Sequence, residues 1–392
     1  MIYLDNNATT KVAPKVFEAM IPYLKELYAN PSSGHTFGRE MKQGVERARE
    51  QVANLLGASD ASEIVFTSCG TESDNWAIRG ALSAQPNKRH IVTTRVEHEA
   101  VRLLCEHLER EGYEVTWLEV DGEGLVDIQA VREAVREDTA VVSIMLAQNE
   151  TGVLFPIEEI GRIVKEKSNA LFHVDGVQAV GKIPIDLKQT EVDLFAVSGH
   201  KLYAPKGVGA LYIKNGVQLP SYIIGAKQEM SRRAGTSAVP NIVALGAACE
   251  LVMNEDHNEV QRLRDKLEDT ILERIPNAHL NGVKDRSKRL PNTSNISFAG
   301  VEGESIMAHL DQRGIYVSTG SACHSGAHEA SPTLKAMDVP YNIAMGSIRF
   351  SLGRYNTENE IDETLRVLPE IVDQLYEMSP YAKIEYIVDK KI

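Results

Sequence analysis

Between about residues 63 and 213 the apolar pattern switches repeatedly between two periods. Short β-branched runs ("EIVFT", "HIVTTRV", "EVTWLEV", "AVVSIMLA", "LFHVD", "DLFAVS", "GALYI") read as strands. Between them lie stretches with apolar residues every three or four positions: "ESDNWAIRGAL", "EAVRLLCEHLEREG", "VDIQAVREAVRE" and "IEEIGRIVKEK". Strands that alternate with helices predict an α/β fold with a mostly parallel, doubly wound sheet covered on both faces. After about residue 255 the texture changes. "NEVQRLRDKLEDTILERI" places Val260, Leu263, Leu267 and Ile271 on one helical face. Strand-like "TSNISFA", "GIYVS" and "SIRFSL" follow, then a final helix "EIDETLRVLPEIVDQLYEM", which together predict a smaller α+β domain.

The chain of 392 residues is too long for one ordinary core, so two domains are expected. Its longest apolar stretches are too short to span a bilayer, and "MIYLDNNATT" has no basic leader. A net charge of −13 argues against nucleic acid and against anionic lipid as partners. The four cysteines form no CxxC pair, which points to a reducing, cytoplasmic setting. Cys105 and Cys249 sit in apolar, helix-like segments and read as packing.

Ligands of open α/β sheets sit beyond the carboxyl ends of the strands. Asp175 ends "LFHVD", and Lys201 follows "DLFAVSGH". Taken singly, they are a turn carboxylate and a surface lysine. Taken together, they are the pair pyridoxal phosphate requires: an amine for the Schiff base and an acid for the pyridine nitrogen. "TSCGTESDNW" runs through Gly70 and Thr71 into a helix start, which is either a phosphate cradle or an ordinary capping box. Ser198 and His200 flank Lys201 as further phosphate donors. His98, at a strand-to-helix junction, reads equally as a ring partner and as a structural histidine. Arg349 shares one strand face with Ser347 and Ser351, placed either to fork onto a substrate carboxylate or to sit as surface charge. Cys323 stands alone in "STGSACHSGAH", a composition that suits an exposed loop and cannot fill a core.

The segments "YLDNNATT", "NPSSGHTFG", "FTSCGTESDN", "EHEAV", "NETG", "HVDGVQAVGK", "SGHK", "RRAGT", "LPNTSNISF", "STGSAC" and "IRFSLGRYNTENEID" run collinearly over nearly the whole chain. In them the chain resembles the NifS/IscS-type cysteine desulfurases of the long-loop class. The resemblance implies the aspartate-aminotransferase-like fold (fold type I), with a seven-stranded large domain over 14–255. Residues 1–13 and 256–392 would form the small domain, with the cysteine loop at about 318–332. It implies pyridoxal phosphate as cofactor and a homodimer. Lys201 matches the Schiff-base lysine, Asp175 the pyridine partner, Gln178 the group near the ring hydroxyl, and His98 the stacking histidine. Gly70, Thr71, Ser198 and His200 match the phosphate site, with Thr236 reaching across from the other subunit. Asn149 and Arg349 match the substrate-carboxylate site.

Cys323 matches the nucleophile that takes sulfur from L-cysteine as a persulfide, releasing L-alanine. A sulfur-acceptor or iron–sulfur scaffold protein would then receive it. The alternatives are a related transaminase or selenocysteine lyase in which Cys323 is incidental. His324 follows the cysteine where the family favours a small hydroxyl residue, with His328 nearby.

Overall fold

The computed structural model describes residues 1–253, 255–319 and 329–379. The short strand β1 (Ile2–Tyr3) starts the chain. Seven strands build the main sheet: β2 (Ile64–Thr67), β3 (His90–Thr94), β4 (Glu114–Leu118), β5 (Thr139–Ser143), β6 (Leu171–Asp175), β7 (Leu194–Ser198) and β8 (Gly209–Ile213). Their order is β2-β8-β7-β6-β5-β3-β4. β8 runs antiparallel to both of its neighbours, and the remaining neighbours pair in parallel. The connection from β7 to β8 is too short for a helical crossover of a dozen or more residues, so the chain turns back beside β7.

Both faces of the sheet are buried, which explains why its strands read as continuous apolar runs rather than alternating ones. In β5, Val141 joins a cluster with Ile78, Leu104 and Cys105, while its neighbour Val142 joins the opposite cluster with Val174, Val197 and Leu245. The second face is covered by the helices Thr36–Leu56 and Val239–Met253, which pack on each other. The first of these ends at Gly57, whose left-handed backbone (φ 61°) suits glycine and closes the helix. Cys105 and Cys249 are fully buried, and burial pushes both thiols up, as inert packing requires.

The second sheet comprises β9 (Ala278–Asn281), β10 (Thr293–Phe298), β12 (Ser318–Thr319) and β13 (Ser347–Ser351), in the order β12-β13-β10-β9. Its partners are antiparallel. β11 (Ile315–Tyr316) pairs separately, in parallel, with β1. The helix Asn258–Arg274 buries Val260, Leu263, Leu267 and Ile271. The helix Glu358–Met378 starts at a reciprocal capping box of Thr357 and Glu360. Both pack on a core that includes Ile296, Phe298, Ile348 and Phe350. Ala330, Leu334, Met337 and Ala344 belong instead to the core of the main sheet. Every residue of β13 is buried, so Arg349 is not a surface charge, and its face of the strand meets the rest of the molecule.

Candidate active site

A cavity of ≈ 170 Å³ opens where the parallel strands of the main sheet end. Gly70, Thr71, His98, Asn149, Asp175, Gln178, Ser198, His200 and Lys201 all line it. The sequence thus named nine residues, from five connections far apart in the chain, that share one wall. Arg349 joins them from the second sheet, donating to the Asn149 carbonyl at 3.1 Å and to Asp5 at 2.7 Å. Its buried Nε has no protein partner. Thr236 is exposed and does not line this chain's own cavity. Cys323, His324 and His328 lie outside the described residues. Of the residues that flank that gap, Ser318 pairs with Arg349, while Ser331 and Thr333 donate to Glu150 at 2.6 and 2.9 Å.

Lys201 emerges just after β7 and donates to the backbone carbonyls of Asn7 and Ala8. Burial, helped by the nearby Arg349 charge, lowers its amine to about 8. A lysine with that shift is within reach of its neutral, nucleophilic form. Asp175 ends β6 and accepts from Val177 N at 2.9 Å. Burial pushes its carboxyl up, against the opposing pull of His98, the Val177 bond and Lys201. His98 caps the helix Glu99–Arg110, its Nδ1 accepting from Ala100 N at 3.1 Å, which fixes that nitrogen as an acceptor. His200 lies 3.1 Å from the Thr9 hydroxyl, and burial lowers it to about 4, so it stays neutral near pH 7.

One end of the cavity is built by the helix Gly70–Ala84. Its N-cap, Cys69, provides no side-chain cap, so the first backbone N–H groups stay free. A Cβ on Gly70 would come within 2.8 Å of Val177 Cγ2 and 3.4 Å of Ser198 Cβ. The wall therefore admits only a bare backbone there, as close approach to a phosphate demands. Glu72 is half-buried, and Arg233 forks onto it at 2.9 and 3.1 Å and holds it below the usual carboxylate range. That fork ties the segment bearing Thr236 to the rim of the cavity. Upstream in the segment, Glu229, Met230 and Ser231 all have positive φ (46°, 56° and 64°). The buried bidentate contact from Arg49 to Glu229, at 2.7 and 3.1 Å, holds this costly turn in place.

Several residues here carried no role in the sequence reading. Asn7, fully buried, links both ends of the cavity. Its carbonyl receives Lys201 and the Gln178 amide, and its Nδ2 donates to Asn149 O and Thr293. Lys182 donates to Asn7 Oδ1 at 3.0 Å and to Gln178 Oε1 at 2.9 Å, and burial lowers its amine well below normal. Asp74 also lines the cavity, with His173 buried against it. Asn7, Asp74 and Lys182 fall inside the matching segments "YLDNNATT", "TESDN" and "HVDGVQAVGK", which was the available signal.

An amine, an acid beside it and an uncapped helix start, at the ends of parallel strands, define a fold type I aldehyde-cofactor site. The model of the family "Aminotransferase class-V" matches residues 2–364, and the chain belongs to that family. A cysteine desulfurase of Trichormus azollae is 55% identical over 388 residues, covering 98% of this chain and 96% of its own. A solved NifS-like protein is 41% identical with a TM-score of 0.89, covering 95% of this chain and all of its own. A structure described as SspA in complex with cysteine is 34% identical with a TM-score of 0.81, over 91% of this chain and all of its own. Within the family the chain is a NifS-like cysteine desulfurase, an enzyme that uses pyridoxal phosphate. The α/β fold expected from the sequence matches these structures. No described helix is long and apolar enough to cross a membrane, and no group of described His, Cys, Asp or Glu residues is arranged to hold a metal.

Proposed function

We propose that the enzyme takes sulfur from L-cysteine onto Cys323 and hands it to an acceptor protein for iron–sulfur cluster assembly. The observation that carries this reading is the meeting of Lys201 and Asp175 in one cavity, the amine lowered to about 8. Held there, pyridoxal phosphate would supply an electron sink at the substrate α-carbon. Lys201 would hold the cofactor through Nζ, and the same amine, when free, would take the substrate α-proton. Asp175 would hold the cofactor's ring nitrogen, Gln178 would serve its ring hydroxyl, and His98 would stack on its ring. Thr71, Ser198 and His200, with the backbone at Gly70, would hold its phosphate.

Asn149 and the unpartnered Nε of Arg349 hold the substrate carboxylate. Cys323 attacks the substrate sulfur: the carbon–sulfur bond breaks, a sulfur–sulfur bond forms, and alanine leaves. An acceptor thiol then takes the outer sulfur. The relative solved with cysteine supports this substrate. We further assign 14–255 to the cofactor domain and 1–13 with 256–392 to the small domain. The working form is a cytoplasmic homodimer, with Thr236 completing the partner's phosphate site.

Borohydride reduction of the loaded enzyme should fix a pyridoxyl group on Lys201, read by peptide mapping. Cys323→Ala should keep the bound cofactor but lose cysteine-dependent sulfide release. A pyridoxyl group elsewhere, or unchanged turnover in C323A, overturns the reading.

A further inference from the structure

Two carboxyl groups, Asp175 and Asp74, line the cavity, and a third, Glu97, acts on Asp74 and is acted on by Asp175; each is buried to within a few per cent. Asp175 faces two basic groups, Lys201 and His98. The charged neighbours of Asp74 are all acids: Asp175, Glu97 and the Cys69 thiol. Glu97 accepts from the Thr94 hydroxyl at 2.8 Å and from Met145 N at 3.1 Å, and the nearby Asp175 charge raises it further. Three anions so close, with so little countercharge, cannot all be ionised in a desolvated site.

The geometry shows where one proton goes. Asp74 Oδ1 and His173 Nε2 face each other at 3.4 Å. Each is buried, and neither has any other hydrogen-bond partner. An anionic oxygen opposite an imidazole lone pair repels it, whereas a single shared proton satisfies both atoms. The other ring nitrogen, Nδ1, lies 2.9 Å from the Ser143 hydroxyl, so it can carry the ring's own hydrogen. We propose that Asp74 is a positioning residue that holds a proton against His173 Nε2, leaving Asp175 the anion for the cofactor's ring nitrogen. Burial favours the neutral form of both groups, pushing Asp74 well above the usual carboxylate range and His173 down to about 3. Burial also raises Glu97 to about 8, so it too is protonated near pH 7.

The inference rests on the reading that Asp175 faces the ring nitrogen, but its main test does not. Asp74→Asn keeps the shape and an N–H donor toward His173, and cannot ionise. In the unfolded chain Asp74 loses its proton at its ordinary value, while the folded chain keeps it. Stability that Asp74 contributes in acid is therefore lost as pH rises. Urea unfolding of the full-length chain, stripped of cofactor and also loaded, should show this between pH 5 and 7. The unfolding constant of wild type relative to D74N should rise about tenfold per pH unit.

A flat ratio overturns the proposal. Should D74N fail to fold, histidine-labelled wild type read by nitrogen NMR reports the same protons. Protonated Nδ1 with bare Nε2 supports the proposal, and a proton on Nε2 of His173 overturns it. Failure of the Asp175 reading is separate: D175A would then bind pyridoxal phosphate as tightly as wild type, while the D74N slope stands.

Discussion

Two clusters of buried charge lie in this chain, and they meet opposite fates. Beneath the second sheet, Glu268 is gripped by the Arg289 guanidinium at 2.9 and 2.7 Å and by the Ser294 hydroxyl at 2.7 Å. Burial alone would raise it, yet the fork holds it below the ordinary carboxylate range. At the cavity, Asp74, Glu97 and Asp175 are also buried, but none is gripped by a guanidinium; even Asp175, with Lys201 and His98 pulling it down, rises with the others. Burial by itself therefore does not decide ionisation; the partner does. The first cluster gives its carboxylate a complete set of partners and holds the fold. The second is incomplete in the protein alone, as a site must be if a ligand is to complete it.

The largest stability effect should come from breaking the complete cluster. Arg289→Met takes the bidentate partner from buried Glu268, leaving it the 3.3 Å contact from Arg286 and the Ser294 hydroxyl, and should cost about 3 kcal/mol in urea unfolding. A loss below about 1 kcal/mol would place the two clusters on equal footing.

The incomplete cluster should respond with the opposite sign. Lys201 is lowered from its ordinary value to about 8, so the folded chain pays to protonate it below that pH. Cofactor-stripped Lys201→Met should be more stable than wild type below about pH 8, by less than R289M loses. The advantage should shrink as pH climbs from about 8 toward 10.5, while cysteine turnover falls by at least about 10³-fold.

The smallest effect belongs to a third setting. On the surface, Glu358 bonds Arg262 and Lys266 at 2.8 to 3.3 Å and is lowered to about 2. Water screens this network, so Glu358→Gln should leave the urea midpoint of the full-length enzyme unchanged at 0.15 M salt.

Much of this arrangement was legible in the sequence. Apolar runs such as "LFHVD" and "DLFAVS" marked strands buried on both faces, and the residues just past their ends were the ones that line the cavity. What failed was anything that depends on a partner distant in sequence. The place of β8, antiparallel between β2 and β7, follows from a short connection and from which edge was free. Arg349 read equally well as surface charge, because nothing local announces that Asp5, 344 positions away, will pair with it. Asn7 looked like one polar residue in a polar stretch until the fold brought Lys201, Gln178, Asn149 and Thr293 to it.

The sequence by itself determined the alternation of elements, the helix caps and the chemical kinds of group at each strand end, because these depend on neighbours within a few residues. Tertiary structure alone decided which of those groups share a cavity and which find a countercharge. Proton affinity follows from that assembled environment: the same carboxyl side chain is held ionised at Glu268 and pushed toward protonation at Asp74.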